Sequence, residues 1–187
     1  VRLDEESGSA LLQHLLEDGD RPRKVTSEAA ERREIWEEVQ GHALTLLLTG
    51  SYIRHSLGDV RRWREIDFRQ ADDEVLGGHA FRVMDAYVRW FSEGAEVPGL
   101  GARLLAALRL RRRVYSEGEM LLAVLRMLGL FDRVADPGCV AKLREAPAIP
   151  GVTEALVGLD REGWEGLVST LEQMRLLRRS TIETVEI

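Results

Sequence analysis

The sequence predicts an all-α fold, mainly a helical bundle, followed by a C-terminal winged-helix-like subdomain with a short β wing. Three observations predict it. Leucine, alanine, glutamate and arginine are abundant, and all are good helix formers. Apolar residues recur at three- and four-residue spacing along most of the chain. That rhythm breaks only at the end, where Thr181, Ile182, Thr184, Val185 and Ile187 are β-formers. Hydrophobic content of 44% is enough for a packed core and excludes a disordered chain.

Val1-Arg2-Leu3 reads as the tail of a strand or loop. Asp4 caps a first helix with the stripe Leu11, Leu12, Leu15 and Leu16, and Gly19, Asp20 and Pro22 stop it. Thr26 or Ser27 starts a second helix. Ile35, Trp36 and Val39 form its inner face; Glu28, Glu31, Arg32, Glu34 and Glu38 form a solvated outer one. After the break at Gly41, His42-Ala43 opens a third helix that is apolar nearly all round, and so central. Gly58-Asp59 ends it, and a short helix follows from Val60 to Ile66. Beyond Gly77-Gly78, the residues Ala80, Phe81, Met84, Tyr87, Val88 and Phe91 mark a fifth helix. Leu104, Leu105 and Leu108 mark another, after a loop rich in glycine and proline.

The last third has its own order. Ser116 and Glu119 have capping-box spacing ahead of Leu121, Val124, Leu125 and Leu128, and Gly129 closes that helix. Asp136-Pro137 starts a short helix, with proline at its first position. Asp160 caps a final one bearing Trp164, Leu167, Val168, Leu171 and Met174. Arg178 to Ile187 then reads as strand, which gives the order of a winged helix with its wing cut short. The expected division is a helical bundle over 1–97, a linker over 98–115 and the winged-helix-like domain over 116–187.

Net charge is −6, the wrong sign for a surface built to neutralise DNA phosphates. Arg103, Arg109, Arg111, Arg112 and Arg113 cluster without an acid among them, and read as a solvated helix end or a docking surface for an acidic partner. The final helix carries more acids than arginines between Asp160 and Arg175, which opposes a DNA-reading role. Cys139 is the one cysteine, so neither a disulfide framework nor a thiolate zinc cluster can form, and a reducing compartment fits. His14 and His55 read as surface residues, and no histidine pair has metal-ligand spacing. The longest uncharged run, Val39 to Ile53, is shorter than the roughly 20 residues needed to span a bilayer. The start at Val1 rather than Met reads as a piece cut from something longer.

Four segments, in order, resemble the region after the ATPase core in bacterial STAND signalling proteins, relatives of NB-ARC and NACHT. They are Leu3 to Leu12, Gly41-His42-Ala43-Leu44-Thr45-Leu46, Gly77-Gly78-His79-Ala80-Phe81-Arg82-Val83-Met84, and Leu128 to Arg133 with Ala148-Ile149-Pro150-Gly151 behind it. The second is similar to the glycine-leucine-proline-leucine motif of NB-ARC proteins, with Ala43 where the family has its proline.

The resemblance implies a regulatory segment that couples ATP or ADP in an upstream nucleotide-binding domain to rigid-body movement, a downstream sensor and self-association. It implies a bacterial, cytoplasmic parent protein. It also places Gly41, His42 and Ala43 at the periphery of an adenine nucleotide in that parent. His42 at a helix N-terminus suits that role on its own account, since free N–H groups there favour anions. The winged helix's nucleotide-sensing histidine would lie beyond Ile187.

No Gly-x4-Gly-Lys-Ser/Thr loop and no hydrophobic strand ending in paired acids is present, so no catalytic residues, no metal site and no cofactor of the chain's own are expected. Neither a membrane nor nucleic acid is an expected partner. The competing readings are a winged-helix regulator that binds DNA and a helical protein–protein adaptor.

Overall fold

The computed structural model describes residues 1–17, 24–68, 78–93, 115–131 and 134–179. It divides into two compact units, Val1–Trp90 and Phe91–Ile187. The described residues are mainly helical, and their only β pairing is one antiparallel bridge between Arg2 and His42.

In the first unit, α1 (Glu5–Glu17) packs against both α2 (Ala29–Glu38) and α3 (Ala43–Tyr52). Leu12, Leu16, Ile35, Val39, Leu46 and Ile53 are fully buried and form its core. Asp4 caps α1 as expected, accepting from the Ser7 N–H at 2.7 Å, and that bond holds its carboxyl below the usual range. The start of α2 differs from expectation. Glu28 is the N-cap, and its N–H donates to the Glu31 carboxylate at 2.9 Å.

Ser27 is used elsewhere. Arg32, expected on the solvated face, is only 9% exposed; it donates to Ser27 O at 2.7 Å, Ser27 Oγ at 3.0 Å and Ser9 Oγ at 3.0 Å. These acceptors compensate the burial of a guanidinium that periodicity alone assigned to solvent.

α3 is buried along most of its length, though Leu44 is exposed. It runs on through a π-helical turn, Ile53–Leu57, closed by Gly58 in the left-handed conformation at φ 67°. A 3₁₀ helix, Val60–Glu65, occupies the expected short segment and contacts α2. α4 (Gly78–Ser92) is the expected fifth helix with its face rotated. Ala80, Val83, Ala86, Tyr87 and Phe91 are buried, while Phe81 is 65% exposed. Tyr52 meets Tyr87 edge-on at 5.0 Å, and burial pushes the Tyr87 hydroxyl pKa up. The expected helix around Leu104, Leu105 and Leu108, and the arginine cluster, lie outside the described residues.

In the second unit, α5 (Glu117–Leu128) contacts α6 (Pro137–Leu143) and α7 (Arg161–Gln173). The capping box is reciprocal: Ser116 N–H donates to Glu119 Oε2 at 2.7 Å and Glu119 N–H to Ser116 Oγ at 3.2 Å. Asp136 and Asp160 cap the other two helices through Cys139 N–H at 2.9 Å and Gly163 N–H at 2.8 Å. Met120, Leu121, Val124, Met127, Leu156, Leu167 and Leu171 make the core. Trp164 is half-buried beneath Arg144, whose guanidinium lies 4.2 Å from the ring centroid and donates to Leu159 O at 3.1 Å.

These three helices lie where the sequence predicts helices. The β wing does not appear among the described residues: Arg178 and Arg179 are outside any strand, Arg179 pairs with Glu165 and Glu172, each at 2.9 Å, and 180–187 lie outside the described residues.

α2 and α7 end alike. In α2, Gln40 N–H donates to Glu37 O at 3.1 Å and Gly41 N–H to Trp36 O at 3.0 Å. In α7, Arg175 N–H donates to Glu172 O and Leu176 N–H to Leu171 O, both at 3.0 Å. This Schellman pattern puts its left-handed residue on a non-glycine each time, Gln40 at φ 51° and Arg175 at φ 60°. A left-handed L-residue costs about 1–2 kcal/mol, and glycine's extra freedom in the unfolded chain returns about 0.5–1 of it. Arg175→Gly should therefore raise stability by about 0.5–1 kcal/mol, measured as a later urea midpoint at unchanged slope.

Candidate functional site

The site begins with the end of α2. Its Schellman turn delivers Gly41 at φ 69°, a conformation open to glycine, and aims the chain back past Leu3. Leu3 N–H donates to Gly41 O at 2.8 Å and Ala43 N–H to Val1 O at 3.1 Å, so Val1–Leu3 forms a short strap beside the turn. Trp36 pins both, its Nε1–H donating to Leu3 O at 3.0 Å. Space here is fully used. A methyl group on Gly41 would sit 2.4 Å from Leu3 O and 2.8 Å from Trp36 Nε1, and one on Gly8 of α1 would sit 2.4 Å from Trp36 Cδ1. Glycines from two of the sequence motifs thus face one indole.

His42 is the N-cap of α3 by backbone geometry, its carbonyl accepting from Leu46 N–H at 2.9 Å. The ring is half-buried, with Nδ1 3.1 Å from Thr45 Oγ1. Gly41, His42 and Ala43 are therefore together at one turn. Their three N–H groups already go to Trp36 O, Val39 O and Val1 O. An anion at this point would meet amides that the chain itself has satisfied.

Charge points the same way. A groove of about 1050 Å³ adjoins Gln40, and Glu34, Glu37, Glu38 and Asp67 line it against Arg64 and His79. Arg64 is paired to Glu34, and Glu37 to Arg33 at 2.9 Å. Four carboxylates against one arginine make this groove unfavourable for an anion.

His79 lies in this groove, 5.9 Å from the Phe68 ring, whereas His42 does not line it. His14 is exposed; His55 is half-buried, with Nδ1 2.8 Å from Ser51 O. Neither belongs to the site.

The second unit has a smaller cavity of about 260 Å³. Its polar groups serve the fold: Arg126 donates to Gly151 O at 3.3 Å and Glu154 accepts from Gly151 N–H at 3.2 Å. Cys139 is exposed, but its hydrogen bond with the Asp136 carboxylate raises its pKa, which keeps it a thiol. Among the described residues, no three of His, Cys, Asp and Glu converge as metal ligands, and no helix is long and apolar enough to cross a membrane.

Sequence reasoning placed Trp36 on the inner face of α2 and missed its part in the site. The signal was the placement of Gly8 and Gly41 within reach of one large ring, which only tertiary structure brings out. No family model matches the chain, and neither a curated protein nor a solved structure matches it.

Proposed function

We propose that this chain is the helical switch segment of a STAND-type signalling ATPase, and that it transmits the nucleotide state of an upstream core without hydrolysing nucleotide itself. The observation that carries the reading is the ordered run of four motifs, the second of which, Gly41-His42-Ala43, opens a buried helix at a sterically full turn. A glycine-locked helix start is suited to sensing a neighbour by contact. It moves as one body with α3 instead of yielding locally.

Division into two compact units also suits a segment that works by rigid-body movement. A winged helix in the second unit, with the nucleotide-sensing elements beyond it, belongs to this proposal. In the parent protein, Gly41, His42 and Ala43 approach the base side of ATP or ADP, since the adjoining carboxylates disfavour the phosphates.

Calorimetric titration of ATP and ADP into the 187-residue chain should show no saturable binding, because the phosphate-holding loop is missing from it. Micromolar binding would overturn the placement of the nucleotide outside this chain. A protein–protein adaptor is the second reading. It is favoured by Phe81 and Val88, exposed apolar residues seven positions apart and so on one face of α4.

A further inference from the structure

We propose that the groove beside α2 is a docking site for an arginine-bearing peptide segment of a partner protein. Its carboxylates take the guanidinium groups, and Trp63 Nε1–H donates to a main-chain carbonyl of the segment. This stands apart from the switch reading and does not need it.

Charge sets the sign of the occupant. The groove is lined by the C-terminal half of α2, by Trp63 and Arg64, and by Ile66–Phe68. The last turn of α2 holds Glu37 and Glu38 and no basic residue, the reverse of what the helix dipole favours. Glu34 is answered by Arg64, and Glu37 by Arg33 at 2.9 Å. Among the described residues, Glu38 enters no ion pair. A carboxylate at a helix C-terminus, unanswered within the chain, is stabilised by a cation from outside it.

The groove's own wall shows which cation suits it. The Arg64 guanidinium lies 5.1 Å from the Trp63 ring centroid while it pairs with Glu34. A planar guanidinium stacks on a ring and forks onto a carboxylate at once, which an ammonium group does not. Arginine is therefore favoured over lysine.

Trp63 says that the cation is carried on a peptide. It is 7% exposed, and its Nε1–H is buried without an acceptor. A donor in that state costs stability that a bound oxygen restores. A polyamine brings cations and no acceptor, whereas a peptide brings a carbonyl with every arginine.

Fluorescence anisotropy of a labelled synthetic peptide of alternating arginine and glycine, titrated with the full chain, tests this. Binding should be micromolar, weaken with added salt and be weaker for the lysine counterpart, and spermine should not displace the peptide. Glu38→Gln should weaken binding about threefold, while Glu162→Gln, an exposed acid of the second unit, should not change it. Trp63→Phe keeps a ring and removes the donor, so it should weaken binding about fivefold yet leave the urea midpoint unchanged or later. A purely structural Trp63 cannot give both results.

Absence of binding overturns the proposal, as does an equal loss at Glu38 and Glu162, which would mean attraction to net charge alone. Lysine peptide as tight as arginine, or displacement by spermine, overturns the choice of occupant. Trp63→Phe that unfolds more easily and binds as before overturns the carbonyl contact. If that variant does not fold, Glu38 against Glu162 remains the deciding comparison.

Discussion

Gly41→Ala should destabilise the first unit by about 2–5 kcal/mol, the sum of a left-handed penalty of about 1–2 and an overpacking cost of about 1–3. Both causes apply because φ is 69° and the added carbon would meet a backbone oxygen, Leu3 O, at 2.4 Å. A backbone atom tied by its own hydrogen bond to Trp36 Nε1 has little freedom to step aside. Gly151→Ala is the matched control. Its φ is 74°, yet nothing lies within 4 Å, so it should cost only the conformational part, about 1 kcal/mol. Urea unfolding of the two variants checks the difference. Equal losses would mean that the Gly41 contact relaxes freely and that the turn is not sterically locked.

Gly118→Ala sets two effects against each other in the second unit. At this first-turn position alanine favours the helix over glycine by at most about 1 kcal/mol. Against it, the new carbon would lie 2.1 Å from the Phe91 carbonyl oxygen and 2.8 Å from its carbon. Backbone cannot rotate away as a side chain does, so α5 itself must shift, and the overpacking cost of about 1–3 kcal/mol applies at its upper end. The net loss should be about 1–2 kcal/mol. Near-ultraviolet circular dichroism and urea unfolding followed by Trp164 fluorescence would report it, since Trp164 belongs to this unit. A stabilised variant would show that helix propensity outweighs the clash.

Much of the helical order was legible because caps and periodicity are local. Asp4, Ser116, Asp136 and Asp160 sit where their side chains meet first-turn amides, and each was visible as a short polar residue ahead of an apolar run. Arg32 was misplaced because its acceptors are Ser9 and Ser27, and no rule of spacing says that three such residues will converge. The α4 face was rotated for a related reason. Phe81 and Val88 share the helical spacing of the true core residues Ala80, Val83 and Tyr87, and periodicity cannot choose between adjacent stripes when both are apolar. At the candidate site, Gly41 and His42 were marked by sequence as a helix entry, whereas the bond of the Ala43 amide depends on Val1 and the role of Trp36 on Leu3, partners more than thirty positions away.

Arg32 also constrains how this sequence can drift. One guanidinium holds the hydroxyls of Ser9 and Ser27 together with a main-chain oxygen, and lysine, with a single nitrogen, cannot span all three. Loss of the Ser9 hydroxyl leaves Arg32 Nε–H without its acceptor, whereas Arg32 Nη1 keeps the main-chain oxygen of residue 27 even if the Ser27 hydroxyl is lost. Positions 9 and 32, on two different helices, are therefore the pair expected to change together.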